Sequence, residues 1–178
     1  PPRSTLFPYT TLFRSNRRFA WNKSSKTAVG HTEGKEKLKE VMDWVLDLGV
    51  PYFTVYALST ENISERDSEE LEILYDLYVS GLDEISVDPR IHDRGVKVQV
   101  VGRLDMLPTR VRESIENAEN LTSKYSDFTF TVCLAYGGRE EIVDAVKSVA
   151  TDYASGTLDI SSINSSEITK RIDRKSVV

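Results

Sequence analysis

The sequence predicts an α/β fold, a mostly parallel sheet with helices on both faces. Three observations predict it. Short runs rich in β-branched and aromatic residues (Tyr52–Leu58, Val96–Val101, Phe128–Tyr136) are separated by longer segments whose apolar residues recur every three or four positions. That alternation is the pattern of strands joined by crossover helices, and hence of parallel pairing. Each run also stops abruptly at polar or glycine-containing residues: Ser59-Thr60-Glu61-Asn62, Gly102-Arg103 and Gly137-Gly138-Arg139.

The elements follow in order. Asn16-Arg17-Arg18-Phe19-Ala20-Trp21 is polar and basic and leads through a Lys/Ser-rich loop to Val29. From His31 to Leu48 the residues Leu38, Val41, Met42, Val45 and Leu48 follow helical spacing, with charges opposite and Gly49 placed to end the helix. Tyr52–Leu58 reads as a strand buried on both faces. The Ser59–Arg66 loop leads into a second helix, which Asp67 or Ser68 can cap, with Glu69 and Glu70 in the first turn. Its buried stripe is Leu71, Leu74, Tyr75, Tyr78, Leu82 and Ile85.

Val96–Val101 interleaves Lys97 and Gln99 with valines and belongs nearer a sheet edge. Pro108 suits the first turn of a helix reaching about Tyr125, with Val111, Ile115, Ala118 and Leu121 or Thr122 inward. After Phe128–Tyr136, Glu140 and Glu141 open a helix through Ala154, with Ile142, Val143, Ala145, Val146 and Val149 inward. A short helix from Ser165 or Ser166 to Arg171 completes the pattern.

Two stretches stand apart. Residues 1–15, PPRSTLFPYTTLFRS, repeat a local pattern, carry no helical or strand period, and resemble translated sequencing-adaptor read-through. Asp173–Val178, DRKSVV, has the same look. Residues 1–15 and 173–178 are therefore expected to be non-native, with 16–172 a partial domain cut at both ends.

Composition narrows the function. The 178 residues suffice for one domain with a sizeable core, and 29% charged against 39% hydrophobic is an ordinary soluble balance. A net charge of -5 argues against a general nucleic-acid binder. The single cysteine, Cys133, can form neither an intrachain disulfide nor a multi-cysteine metal site, which suits a reducing, cytoplasmic compartment. No apolar stretch approaches the roughly 20 residues that span a bilayer, so membrane contact would be peripheral.

In an open α/β sheet, ligands sit beyond the carboxyl ends of the strands. The hydroxyls, carboxylate and amide of Ser59–Asn62 stand at such a place, although the same residues also read as a loop capping the next helix. Arg17, Arg18, Asn16 and His31 at a helix start are equipment for holding a phosphate, through charged donor forks and free backbone N–H groups. Singly, each also reads as solvated loop charge or a simple turn.

Five stretches together resemble the cis-prenyltransferases, the family of undecaprenyl diphosphate synthase and its archaeal relatives. They are NRRFA (Asn16–Ala20), GHTEG (Gly30–Gly34), LSTEN (Leu58–Asn62), VGRLDMLP (Val101–Pro108) and YGGREEI (Tyr136–Ile142), in the family's order and approximate spacing. The resemblance implies repeated condensation of isopentenyl diphosphate onto an allylic diphosphate, a Mg²⁺ requirement, and an α/β fold with a hydrophobic tunnel. It also implies a homodimer at the membrane surface. By motif match Asn16 and Arg18 would hold the allylic diphosphate, with Arg17 and His31 beside them and Phe19 as an aromatic. Ser59, Thr60, Glu61 and Asn62 would line the reacting centre, Asn62 being the proton acceptor. Gly138 and Arg139 would belong to the same pocket.

The sequence departs from that pattern in places. Arg14-Ser15 stand where the family has Asp-Gly, and an arginine cannot coordinate Mg²⁺. Thr27 replaces an arginine of bacterial members and Ile63 a tryptophan, while Arg66 matches only with one inserted residue. The arginine-rich segment for isopentenyl diphosphate and a second acidic ligand are also absent. The expectation is an inactive fragment of an enzyme; the alternative is a non-catalytic partner subunit of a cis-prenyltransferase complex.

Overall fold

The computed structural model describes the backbone of residues 27–172 and the side chains of 33–172. Asn16, Arg17, Arg18, Phe19, the side chain of His31 and the two terminal stretches lie outside the described residues.

Helix α1 (Thr27–Asp47) turns Val41, Met42 and Leu46 inward. Its end differs from the expectation: Leu48 lies past the last turn and is 74% exposed, and Leu46 takes the inward place. The cause is the chain reversal, in which Leu48 N–H donates to Trp44 O and Val50 N–H to Val45 O, carrying Leu48 away from the core.

Strands β1 (Tyr52–Tyr56), β2 (Val96–Val101) and β3 (Phe128–Cys133) form an all-parallel sheet in the order β1-β3-β2. The fold is α/β, as the alternation predicts. Phe53 and Val55, Phe128, Phe130 and Val132, and Val96, Val98 and Val100 share one face and join a single core. Phe53 and Phe130 stack there at 5.5 Å. Against this face pack α3 (Ser68–Val87) and α5 (Thr109–Thr122), and α1 packs against α3.

The expectation that the Tyr52 strand is buried on both faces is corrected. Among the described residues β1 is an edge strand, and its second face carries Tyr52, Thr54 and Tyr56 into solvent. Aromatic content does not distinguish a doubly buried strand from an edge whose open face is tyrosine. β2, read as nearer an edge, pairs on one side only among the described residues.

Asp67 caps α3, its Oδ1 accepting from Glu70 N–H at 2.8 Å. Pro108 stands as the N-cap of α5, just before the helix, and Thr122 rather than Leu121 faces the core. Thr122 succeeds there because its hydroxyl is fully used, accepting from Val98 N–H at 3.0 Å and donating to Ala118 O at 2.7 Å.

Helix α6 (Gly138–Ala154) corrects a second expectation. Only Ala145 and Val149 are buried, whereas Ile142, Val143 and Val146 are about half exposed. A single line of small residues makes the contact, and the wider apolar stripe lies on its flank. Short helices α2 (Thr60–Glu65), α4 (Pro89–Asp93) and α7 (Ser165–Arg171) complete the described chain.

Candidate active site

All three strands deliver their carboxyl ends to one edge, and the exits are tied together by backbone hydrogen bonds. Ser59 and Tyr136 form an isolated parallel bridge beyond β1 and β3. Tyr136 N–H donates to Leu58 O at 3.1 Å, and Thr60 N–H donates to Tyr136 O at 3.2 Å. On the other side Leu134 N–H donates to Val101 O at 2.9 Å and Arg103 N–H to Ala135 O at 3.0 Å. Ala135, fully buried, adopts φ 50°, a conformation alanine rarely takes. Gly102, at φ 129°, passes so close that a Cβ would overlap the Leu134 carbonyl oxygen. The β2 and β3 exits are therefore pressed together, and strain collects at this edge.

The Ser59–Arg66 segment is not a loop. Ser59 sits in extended conformation, and its Oγ accepts from Asn62 N–H at 3.0 Å, capping α2. The capping reading and the site reading thus hold at the same residue. Thr60 is buried, Glu61 is exposed, and Asn62 is half-buried. Ile63 is half-buried and packs against the core.

The structure brings Ser59, Thr60, Glu61 and Asn62 beside Gly138 and Arg139 through the Ser59–Tyr136 bridge. Gly138 and Arg139 are exposed in the first turn of α6. Arg66 lies at the far end of α2, where its Nη1 bonds the buried Glu70 at 2.7 Å. Its guanidinium is therefore committed to a partner. Arg103 likewise pairs with Asp144. Arg139 makes no hydrogen bond or ion pair among the described residues, so of these three arginines its charge alone remains uncommitted there.

Several residues of this edge escaped the sequence reading. Tyr56 donates its hydroxyl to Tyr136 O at 2.7 Å, and the two rings meet edge to face at 5.8 Å. Burial, with the charge of Glu61 next, pushes the Tyr56 phenol up, so it remains a donor. Tyr136 in turn donates to Glu141 Oε2 at 2.6 Å. Tyr78 of α3 reaches Ala57 O at 3.1 Å, and burial raises its phenol strongly. Tyr56 and Tyr78 sit in strand or helix period, so the sequence offered them only as core, and Tyr136 stood in the YGGREEI stretch without a role of its own. Their shared signal was position, next to the strand ends.

Among the described residues there is no group of three or more His, Cys, Asp or Glu that could form an all-protein metal site. Mg²⁺ is commonly held by only one or two carboxylates together with water and substrate phosphates. Arg14, at the position of the expected metal-binding aspartate, lies outside the described residues.

Comparison with known proteins places this geometry. Residues 14–177 match the prenyltransferase family model described as "Putative undecaprenyl diphosphate synthase". A Methanopyrus kandleri protein named tritrans,polycis-undecaprenyl-diphosphate synthase (geranylgeranyl-diphosphate specific) is 46% identical over 161 residues, covering 90% of this chain and 59% of its own. The protein of the same name from Pyrococcus horikoshii is 44% identical over 153 residues, covering 86% and 58%. The chain thus spans about three fifths of the length of these relatives. Lavandulyl diphosphate synthase from Lavandula x intermedia, solved with dimethylallyl diphosphate, shares the fold, with a TM-score of 0.80 at 24% identity over 90% of this chain and 67% of that one. A Campylobacter jejuni protein described as a probable undecaprenyl diphosphate synthase aligns with a TM-score of 0.65 at 25% identity, over 79% and 64%. By the family match and by these archaeal relatives, the chain belongs to the undecaprenyl diphosphate synthase family of prenyltransferases.

Proposed function

We propose that the parent of this chain condenses isopentenyl diphosphate onto an allylic diphosphate to make a polyprenyl diphosphate, and that this chain as it stands is inactive. The observation that carries the reading is the convergence of Ser59–Asn62 with Gly137–Arg139 across the Ser59–Tyr136 bridge. The archaeal relatives' names support geranylgeranyl diphosphate as the allylic primer.

The chemistry needs three things of the protein. The C1–O bond of the allylic substrate breaks as cationic character develops at C1, so cations near the departing diphosphate lower the barrier. Asn16, Arg17, Arg18 and His31 are assigned that task, with Phe19 alongside. The isopentenyl double bond must be held against C1, a problem of proximity. A proton must then leave the new carbon skeleton. Asn62 is assigned as acceptor, and because a neutral amide is a weak base, diphosphate oxygens share the role. Ser59, Thr60, Glu61, Ile63 and Arg66 line or support this centre. The apolar face of α3 is assigned to the product tunnel.

The family's Mg²⁺ requirement is assigned to the position Arg14 now fills. The parent is placed as a cytoplasmic homodimer peripheral to a membrane; no helix among the described residues is long and apolar enough to cross one. Arg14 itself favours the second reading, a non-catalytic partner subunit.

The test repairs the chain in steps and follows incorporation of labelled isopentenyl diphosphate. The chain as it stands is expected to show no turnover. Arg14→Asp with Ser15→Gly should strengthen Mg²⁺-linked binding, and appending the remaining carboxyl-terminal segment of an archaeal relative should restore turnover. Asn62→Ala in that repaired protein should then slow it. Turnover by the unrepaired chain would refute the inactive reading, and a silent repaired chain would favour the partner subunit.

A further inference from the structure

Glu140 occupies the first turn of α6, a 17-residue helix whose N-cap, Gly137, has no side chain to satisfy the free N–H groups. The Glu140 carboxylate folds back over that helix start. A Cβ on Gly137 would overlap Glu140 Oε2 and stand 2.5 Å from Thr60 Oγ1. Thr60 is only 7% exposed, and its hydroxyl, like Glu140 Oε2, is sealed from solvent without a hydrogen-bond partner. A buried hydroxyl and a buried carboxylate oxygen thus converge on the start of a long helix, and neither gains a bond there.

We propose that the amino-terminal turn of α6, the Thr60 hydroxyl and Arg139 form a phosphate seat, which the Glu140 carboxylate fills until a substrate diphosphate displaces it. Backbone N–H groups and the helix dipole favour an anion at this place, and a phosphate suits them better than a carboxylate that makes no hydrogen bond. The Thr60 hydroxyl can donate to a phosphate oxygen. The helix start is exposed at Gly138, where nothing described lies within 4 Å of where its side chain would be, and the Thr60 hydroxyl is reached once the Glu140 carboxylate moves aside. Arg139 stands beside it with no ion pair among the described residues. Glu141, the other acid of this turn, is held by the Tyr136 hydroxyl at 2.6 Å. The ligand's source rests on the transferase reading; the seat itself rests on the geometry.

The experiment is calorimetric titration of the full chain with inorganic diphosphate in metal-free, chelator-containing buffer, with folding of each variant checked by circular dichroism. Glu140→Gln keeps the shape and removes the competing charge, so it should tighten binding about fivefold or more. Thr60→Val and Arg139→Gln should each weaken it severalfold. Glu65→Gln, an exposed charge at the end of α2, should change nothing. Binding by Glu140→Gln no tighter than wild type would overturn the seat, as would an equal gain from Glu65→Gln or no binding by any variant. Turnover in the repaired enzyme without a Glu140→Gln effect removes the seat and leaves the transferase reading. Tighter diphosphate binding without turnover does the reverse.

Discussion

Replacing Gly102 by alanine puts a methyl group where the Leu134 carbonyl already stands. The distance from the new Cβ to Leu134 O falls well under 3.0 Å, and its neighbours Leu134 C and Ala135 C lie at 3.0 and 3.1 Å. The obstacle is backbone, not a flexible side chain, so relief requires moving the β3 exit. At φ 129° the alanine also occupies a region that L residues rarely adopt, a cost of about 1–3 kcal/mol. Overpacking against buried backbone adds about 1–3 kcal/mol. The expected loss is therefore about 4 kcal/mol, against the roughly 5–15 kcal/mol that holds a typical domain folded. Urea unfolding followed by circular dichroism would read it as a lowered midpoint at unchanged slope. Gly156→Ala is the control: φ is also positive there, at 75°, but the space is empty, and about 1 kcal/mol is expected. A Gly102→Ala loss no larger than that of Gly156→Ala would refute the claim that the two strand exits are wedged together.

Two further outcomes follow from buried and paired groups. Thr122→Val should cost about 1–3 kcal/mol in the same assay, because the Val98 N–H then loses its acceptor inside the core; a neutral result would mean that strand β2 repairs its own bond. Glu84 receives Lys35 at 2.5 Å and Lys39 at 2.7 Å, and these bonds pull its carboxyl from the usual 4.5 down to about 2. Its folded value lies below the unfolded one, so the stabilisation is present above about pH 4.5 and drains away as pH falls toward 2. Half-exposed, the cluster contributes modestly. The urea midpoint should still fall less between pH 5 and pH 3 in Glu84→Gln than in wild type, and an equal fall would remove Glu84 from the acid limb.

The sheet and its helices were legible because period is written in composition. Val96, Val98 and Val100 alternate, and Leu74, Tyr75 and Leu82 repeat on a helical face, so both elements followed. What period does not carry is which neighbour arrives. Tyr52 and Tyr56 have the chemistry of a buried strand, and only the strand order leaves them open. Ile142, Val143 and Val146 are apolar at helical spacing, yet the described contact runs through Ala145 and Val149. At the site, Ser59–Asn62 and Gly137–Arg139 were legible as abrupt polar stops. Glu140 was not, because a first-turn glutamate is ordinary in sequence; only its position over Gly137, against an unpartnered Thr60, distinguishes it.

The strand order also constrains how the chain comes together during synthesis. Among the described strands β1 and β2 leave the ribosome first but share no ladder; there each pairs only with β3, which follows about thirty residues after β2. Until β3 emerges, Ser59 has no Tyr136 to bridge, and the polar ends of the first two strands belong to nothing. The last of the described strands to appear takes the central place among them, closing two long-range pairings at once, so this step should dominate the folding time. A chain halted before Tyr136 carries LSTEN in full and yet lacks the bridge that sets it beside Gly137–Arg139.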